Sequence, residues 1–131
     1  GYVGKRRNQK TWTLVVPGKL FTLNTERGWH HHKRAKFVKQ WRAAAFEEAK
    51  RIKVPKMKAL EITFIPCRTN RRNMADTGGH FPVAKACIDG LVDAGVIPDD
   101  GPEYVTMLTF KAPQVDGGED RAMLIVKETA R

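Results

Sequence analysis

Six charged residues in the second half of the chain stand at spacings that could do chemistry. Lys85, Asp89 and Asp93 recur at i, i+4 and i+8, which sets them on one face of a helix; Asp76 precedes them, and Asp99 and Asp100 follow. Carboxylates offered from two loops can hold a Mg²⁺ ion, which takes only a few protein oxygens and keeps several of its waters. A lysine between them could stabilise charge on phosphate oxygens in a transition state. The plainer reading of this helix face is a solvated stripe with a Lys–Asp pair worth roughly a few tenths of a kcal/mol. That reading suffices for Asp93. It is weaker for Lys85, which acidic loops flank on both sides.

These residues need a scaffold, and the hydrophobic pattern supplies one. Residues 11–16 (TWTLVV) read as a strand that ends at the turn Pro17-Gly18. Residues 20–28 read as loop. From 32 to 53 the spacing of Phe37, Trp41, Ala44 and Ala45 is helical, and Pro55 ends the helix. Residues 59–65 alternate Leu60, Ile62 and Phe64 with Glu61 and Thr63, predicting a half-buried strand closed by Pro66. A polar, Gly-ended loop follows over 67–79. Pro82 then opens a helix to residue 94 whose apolar face carries Ala84, Cys87, Ile88, Leu91 and Val92, with Gly95 as its cap. An acidic turn at 98–102 leads to strands at 104–111 and 121–128, joined by a hairpin over 115–121. The expected fold is α+β: one domain over 1–131 in the order β-α-β-α-β-β, with two helices packed on a small mixed sheet and a basic, flexible arm at 1–10.

The chain has 131 residues and a formal net charge of +10, a length that fits one core. The charge is divided. Residues 1–75 hold 19 Lys+Arg against 4 acids, and residues 76–131 hold 5 against 10. The basic part can neutralise phosphates and release counterions. Carboxylates facing a phosphate backbone repel it unless a divalent cation lies between, which is what a metal-dependent enzyme acting on nucleic acid requires. Charge alone also fits a basic nucleic-acid-binding or ribosome-associated protein whose acids keep one face soluble.

Other features narrow the field. No apolar run approaches the ~20 residues of a membrane span, and no secretory signal pattern opens the sequence. Cys67 and Cys87 lack His/Cys partners at zinc spacing and read as buried thiols, which predicts a reducing cytoplasm. Trp29-His30-His31-His32 beside Lys33 and Arg34 reads as a basic, partly solvated helix start that could track DNA. A Gly-rich phosphate loop, HExxH and a nucleophile elbow are all absent.

Residues 76–100 (DTGGHFPVAKACIDGLVDAGVIPDD) resemble the catalytic core of the RusA family of Holliday-junction resolvases. The resemblance is strongest in K-x-x-x-D-G-L-x-x-A-G-x-x-x-D-D, from Lys85 through Asp89, Gly90, Leu91, Ala94 and Gly95 to Asp99 and Asp100. Leu23-Asn24 after the first strand, the basic Trp-containing helix and the basic loop 68–72 extend it over most of the chain. The specific part covers about a fifth. The resemblance implies a homodimer that binds four-way and other branched DNA and makes paired nicks with Mg²⁺, Mn²⁺ being a substitute. It implies a bacterial host cytoplasm and, from the longer loop before the lysine, a bacteriophage-type member. It carries catalytic roles to Asp76, Lys85 and Asp100, and metal ligation to Asp76 and Asp100, with Asp99 beside the metal. DNA gripping then falls to Lys33, Arg34, Lys36, Arg68, Arg71 and Arg72, which would contact phosphates without reading sequence.

One departure matters. The family pattern has two loop aspartates in a D-x-D-N-like motif, and Gly78 stands at the second, with Gly79 at the asparagine. Three outcomes stay open: turnover with fewer ligands, a substitute group, or junction binding without cutting. His80 is the nearest substitute, although imidazole suits softer metals than Mg²⁺ and a loop or cap role is the better reading. Asp99, Glu103, Asp116, Glu119 and Asp120 are the others.

Overall fold

Alternation of apolar and polar side chains builds a sheet with one buried face. In the computed structural model, which describes residues 10–72 and 74–129, the sheet comprises β1 (Thr11–Pro17), β2 (Leu60–Arg68), β3 (Val105–Phe110), β4 (Gln114–Val115) and β5 (Arg121–Glu128). The strand order is β1-β5-β2-β3, with β4 pairing β2 beyond the end of β3. β5 runs antiparallel to both β1 and β2, whereas β3 and β4 run parallel to β2, so the sheet is mixed. Register places Leu14, Leu124 and Phe64 in one row, and Trp12, Val126 and Ile62 in the next. These rows form the floor of the core.

Among the described residues three helices complete the α+β fold: α1 (Leu23–Arg27), α2 (His31–Arg51) and α3 (Phe81–Asp93). The predicted helical periodicity of α2 is realised in buried Trp41 and Ala45, with Ala49 one turn on and Phe37 and Ala44 partly buried. The Trp41 indole donates to the Lys19 carbonyl at 2.9 Å, which satisfies its one polar atom in the core. α3 buries more than one stripe, including Pro82, Val83, Ala86 and Gly90 besides the predicted face. Its end is a Schellman motif: the N–H of Val96 bonds the Leu91 carbonyl, that of Gly95 bonds Val92, and Gly95 takes φ +82°. Cys67 and Cys87 are both buried free thiols, and burial pushes the Cys87 thiol far above its ordinary pKa.

Four details differ from the sequence expectation. The 20–28 loop contains α1, a single turn too short for periodicity to reveal, opened by Thr22, whose hydroxyl accepts from the Thr25 N–H. Pro66 does not close β2, which runs on to Arg68. The Phe64 carbonyl accepts from Lys111, so the nitrogen two residues on faces the same edge, where β3 has ended and β4 has not begun. A proline there forfeits no ladder bond. The strands at 105–110 and 121–128 do not form a hairpin: they flank β2 on opposite sides, and residues 111–120 cross its end. That connection also adds the short β4. The basic arm expected at 1–10 lies, apart from Lys10, outside the described residues. No helix among the described residues is long and apolar enough to cross a membrane.

Candidate metal and phosphate site

The parallel pairing of β2 and β3 requires a crossover, and α3 is that crossover. The loop carrying Asp76 therefore enters one end of α3, and the loop carrying Asp99 and Asp100 leaves the other. The second loop folds back along the helix. Asp100 reaches Lys85, the fifth residue of α3, with Oδ2 2.6 Å from Nζ. Asp89, one turn further on, takes the same ammonium at 2.8 Å. Burial alone would lower the Lys85 pKa, but the hydrogen bonds to Asp100 and Asp89 outweigh it and raise the pKa above the ordinary lysine value. The Asp100 carboxyl is held below its usual range, mainly by the hydrogen bond from Lys85. Asp99 caps its neighbour: its Oδ1 accepts the Asp100 N–H at 2.8 Å. Asp93 pairs across to α2, where Arg42 holds it with two bonds of 2.6 and 2.8 Å.

Asp76 lies in a different cleft. That cleft, of about 410 Å³, is lined by Thr22, Asn24, Thr25, Arg27 and Asp76 among others, and Leu23 separates it from a second cleft lined by Glu26, Arg34, Lys85 and Asp89. Asp76 is exposed, and among the described residues its carboxylate has no hydrogen-bond or ion-pair partner. The ligand oxygens of Asp76, Asp99 and Asp100 do not converge as a set within 4.8 Å; the one such group among the described residues is His30, His31 and His32, all exposed. The donors around Asp76 are carboxylate, amide and hydroxyl oxygens, a set suited to a hard cation such as Mg²⁺.

The loop glycines have structural work of their own. The Gly79 N–H bonds the Asp76 carbonyl at 2.8 Å, and Gly78 takes φ +86°, the third position of a type II turn. A Cβ on Gly78 meets nothing within 4 Å, so a side chain there would project into open space from a strained backbone. His80 is 2% exposed, and its Nδ1 lies 2.8 Å from the Phe21 carbonyl, so Nδ1 carries the hydrogen and tethers the chain before α1 to the start of α3. It makes no side-chain cap to α3.

Burial lowers the His80 pKa; the bond to Phe21 and the charge of Asp120 oppose the shift, and Arg68 adds to it. The unfolded chain takes up this proton at about pH 6.5, which the folded state resists. His80 therefore leaves stability intact above that pH and reduces it as pH falls through it. Thermal midpoints measured from pH 8 to pH 5 are expected to drop for the wild type and to drop less for His80→Gln. Equal slopes would assign the pH dependence to other groups.

The predicted DNA-gripping residues are spread over two regions. Lys33, Arg34 and Lys36 are exposed on the first turns of α2, with Lys33 stacked 4.8 Å over the Trp29 ring. Arg71 and Arg72 are exposed in the loop after β2. Arg68 instead faces Asp120 at 3.4 Å. Sequence reasoning passed over Glu26 and Arg27 because they sit in a helix of five residues, where no period is legible. The one signal was Thr22-x-x-Thr25, a hydroxyl three residues before the N–H it caps. No family model matches the chain, and no curated protein matches its sequence.

Proposed function

We propose that the protein is a Mg²⁺-dependent, structure-selective endodeoxyribonuclease that nicks branched DNA, in keeping with its RusA-like sequence pattern. The observation that carries this reading is the adjacency of two clefts across Leu23: an open carboxylate among oxygen donors on one side, and on the other a lysine held between two carboxylates. Asp76 would hold the ion among the Thr22, Asn24 and Thr25 oxygens of its cleft, while Asp100 holds Lys85. Mg²⁺ there would supply positive charge to the scissile phosphate and acidify the attacking water. Lys85 presents a permanently charged ammonium for the leaving or equatorial oxygens, and Asp100 and Asp89 orient it until a phosphate competes for it. The exposed cations of α2 and of the loop after β2 hold the DNA arms by their phosphates. Paired nicks on a symmetric junction call for two copies related by a twofold axis.

A second reading, a junction binder that does not cut, is favoured by Gly78, which has no carboxylate where the RusA-like pattern has one and takes a φ of +86° that strains any side chain placed there. A labelled four-way junction separates the two. Nicking in Mg²⁺ that stops in chelator and falls about a hundredfold in Asp76→Asn supports the enzyme. Binding without nicks in either Mg²⁺ or Mn²⁺ supports the binder, and neither binding nor nicking excludes both.

A further inference from the structure

We infer that Arg27 is the phosphate-binding residue of the Asp76 cleft, a role that rests on the nuclease reading and deepens it. Among the described residues, the cations lining the two clefts are Arg27, Arg34 and Lys85. Lys85 is shared between two carboxylates, at 2.6 and 2.8 Å, so a phosphate must compete with both of them for it. Arg34 belongs to the far side of Leu23.

Arg27 is different. Among the described residues its guanidinium has a single partner, the Asn24 amide oxygen at 3.5 Å, the outer limit of a hydrogen bond. Most of its five N–H donors are therefore available, in a planar fork that matches two oxygens of a phosphate. It lines the same cleft as Asp76, yet no ion pair joins the two. Opposite charges that share a cleft without meeting leave room between them for a group that bridges both. A phosphodiester would do so, its charge met by the arginine on one side and, on the other, by a cation that Asp76 would hold.

The placement is fixed from both sides. The Leu23 N–H bonds the Gly79 carbonyl at 3.2 Å, which ties the first residue of α1 to the turn that carries Asp76. The Glu26 N–H bonds the Thr22 carbonyl at 2.9 Å, and the Gly28 N–H bonds that of Thr25 at 3.2 Å, closing the single helical turn from which Arg27 projects. A bulkier residue at Gly79 would push on this hinge, since a Cβ there falls 3.0 Å from the Asp76 carbonyl oxygen.

The test uses the full chain and a fluorescent four-way junction. Binding is measured in EDTA over a series of KCl concentrations, and nicking is measured in Mg²⁺, for wild type, Arg27→Ala, Arg27→Lys and the exposed control Lys56→Ala. Arg27→Ala is expected to weaken binding about tenfold at moderate salt and to reduce the salt slope by about 1. Its nicking rate should fall about a hundredfold. Arg27→Lys should recover the slope but not the rate, because an ammonium lacks the fork. Lys56→Ala should match wild type in both. An Arg27→Ala protein of unchanged melting temperature that matches wild type or Lys56→Ala in slope and rate overturns the assignment. A wild type that does not nick the junction in Mg²⁺ or Mn²⁺ overturns the nuclease reading beneath it, and if it still binds, the salt slope of Arg27→Ala alone decides the assignment.

Discussion

Replacing Gly90 with alanine is expected to destabilise the protein by about 3 kcal/mol and to lower its melting temperature by about 10 °C. In an exposed helix interior the same change stabilises by about 1 kcal/mol, because alanine is the better helix former. Here the sign reverses. Gly90 faces α2 where the two helices cross, and a Cβ there would fall 2.9 Å from the Ala45 Cβ and 3.0 Å from the Phe46 nitrogen, with the Arg42 carbonyl oxygen nearer still. Two of these three obstacles are backbone atoms of a helix, so no rotamer change relieves them. α3 must move away from α2. That movement opens the packing of Ala45, which is fully buried, and pulls Asp93 from its two bonds to Arg42. Thermal unfolding followed by circular dichroism measures the effect. A loss below about 3 °C would mean that the helices slide apart without loosening the core.

The crossing explains why an uncharged glycine lies inside the charged motif. The stripe Lys85, Asp89, Asp93 was legible because i, i+4 spacing is a local property of any helix, and the Lys85–Asp89 bond follows from it directly. Gly90 sits beside that stripe, and nothing in its spacing announces that a second helix rests on it. The strands β1, β2 and β5 and the helices α2 and α3 were readable for the same local reason: each is long enough to display its period. Partner choice was not. The prediction that 104–111 pairs with 121–128 applies the rule that sequential strands are neighbours, whereas both compete for β2 and each takes one edge. Pro66 misled in a related way, since whether a missing N–H matters depends on what faces that edge.

The candidate site divides along the same line. Type and spacing bring forward Asp76, Lys85, Asp99 and Asp100, and the RusA-like resemblance singles out Asp76, Lys85 and Asp100, but their contacts are set by how two loops fold. The loop after α3 turns back to bring Asp100 to Lys85, and the loop before it closes in a glycine turn that presents Asp76 to α1. α1 itself, with Arg27 and Glu26, had no legible signature beyond its cap. His80, a candidate ligand by composition, became a core tether because the Phe21 carbonyl lies within reach of its Nδ1.

The Lys85–Asp100 pair is expected to behave as one functional unit. Lys85→Ala and Asp100→Asn should each lower the rate of junction nicking in Mg²⁺ by about 10² to 10³, and the double variant should be no slower than the worse single. The geometry gives the reason. Lys85 has two carboxylate partners, and Asp100 is the nearer, so neutralising Asp100 leaves the ammonium to swing toward Asp89 along its own helix. Removing the lysine leaves Asp100 beside Asp99 and Asp89 with nothing to offset their charge. Either change therefore disables the other residue. Folding should survive both, because the pair is partly exposed and solvent screening limits its contribution to roughly 1 kcal/mol or less. Junction affinity in EDTA separates the two singles: Asp100→Asn removes a negative charge near the phosphates and should bind as tightly as wild type or more so, whereas Lys85→Ala should bind no more tightly. Multiplied losses of 10⁴ or more in the double variant would show instead that Lys85 and Asp100 act at independent points of the reaction.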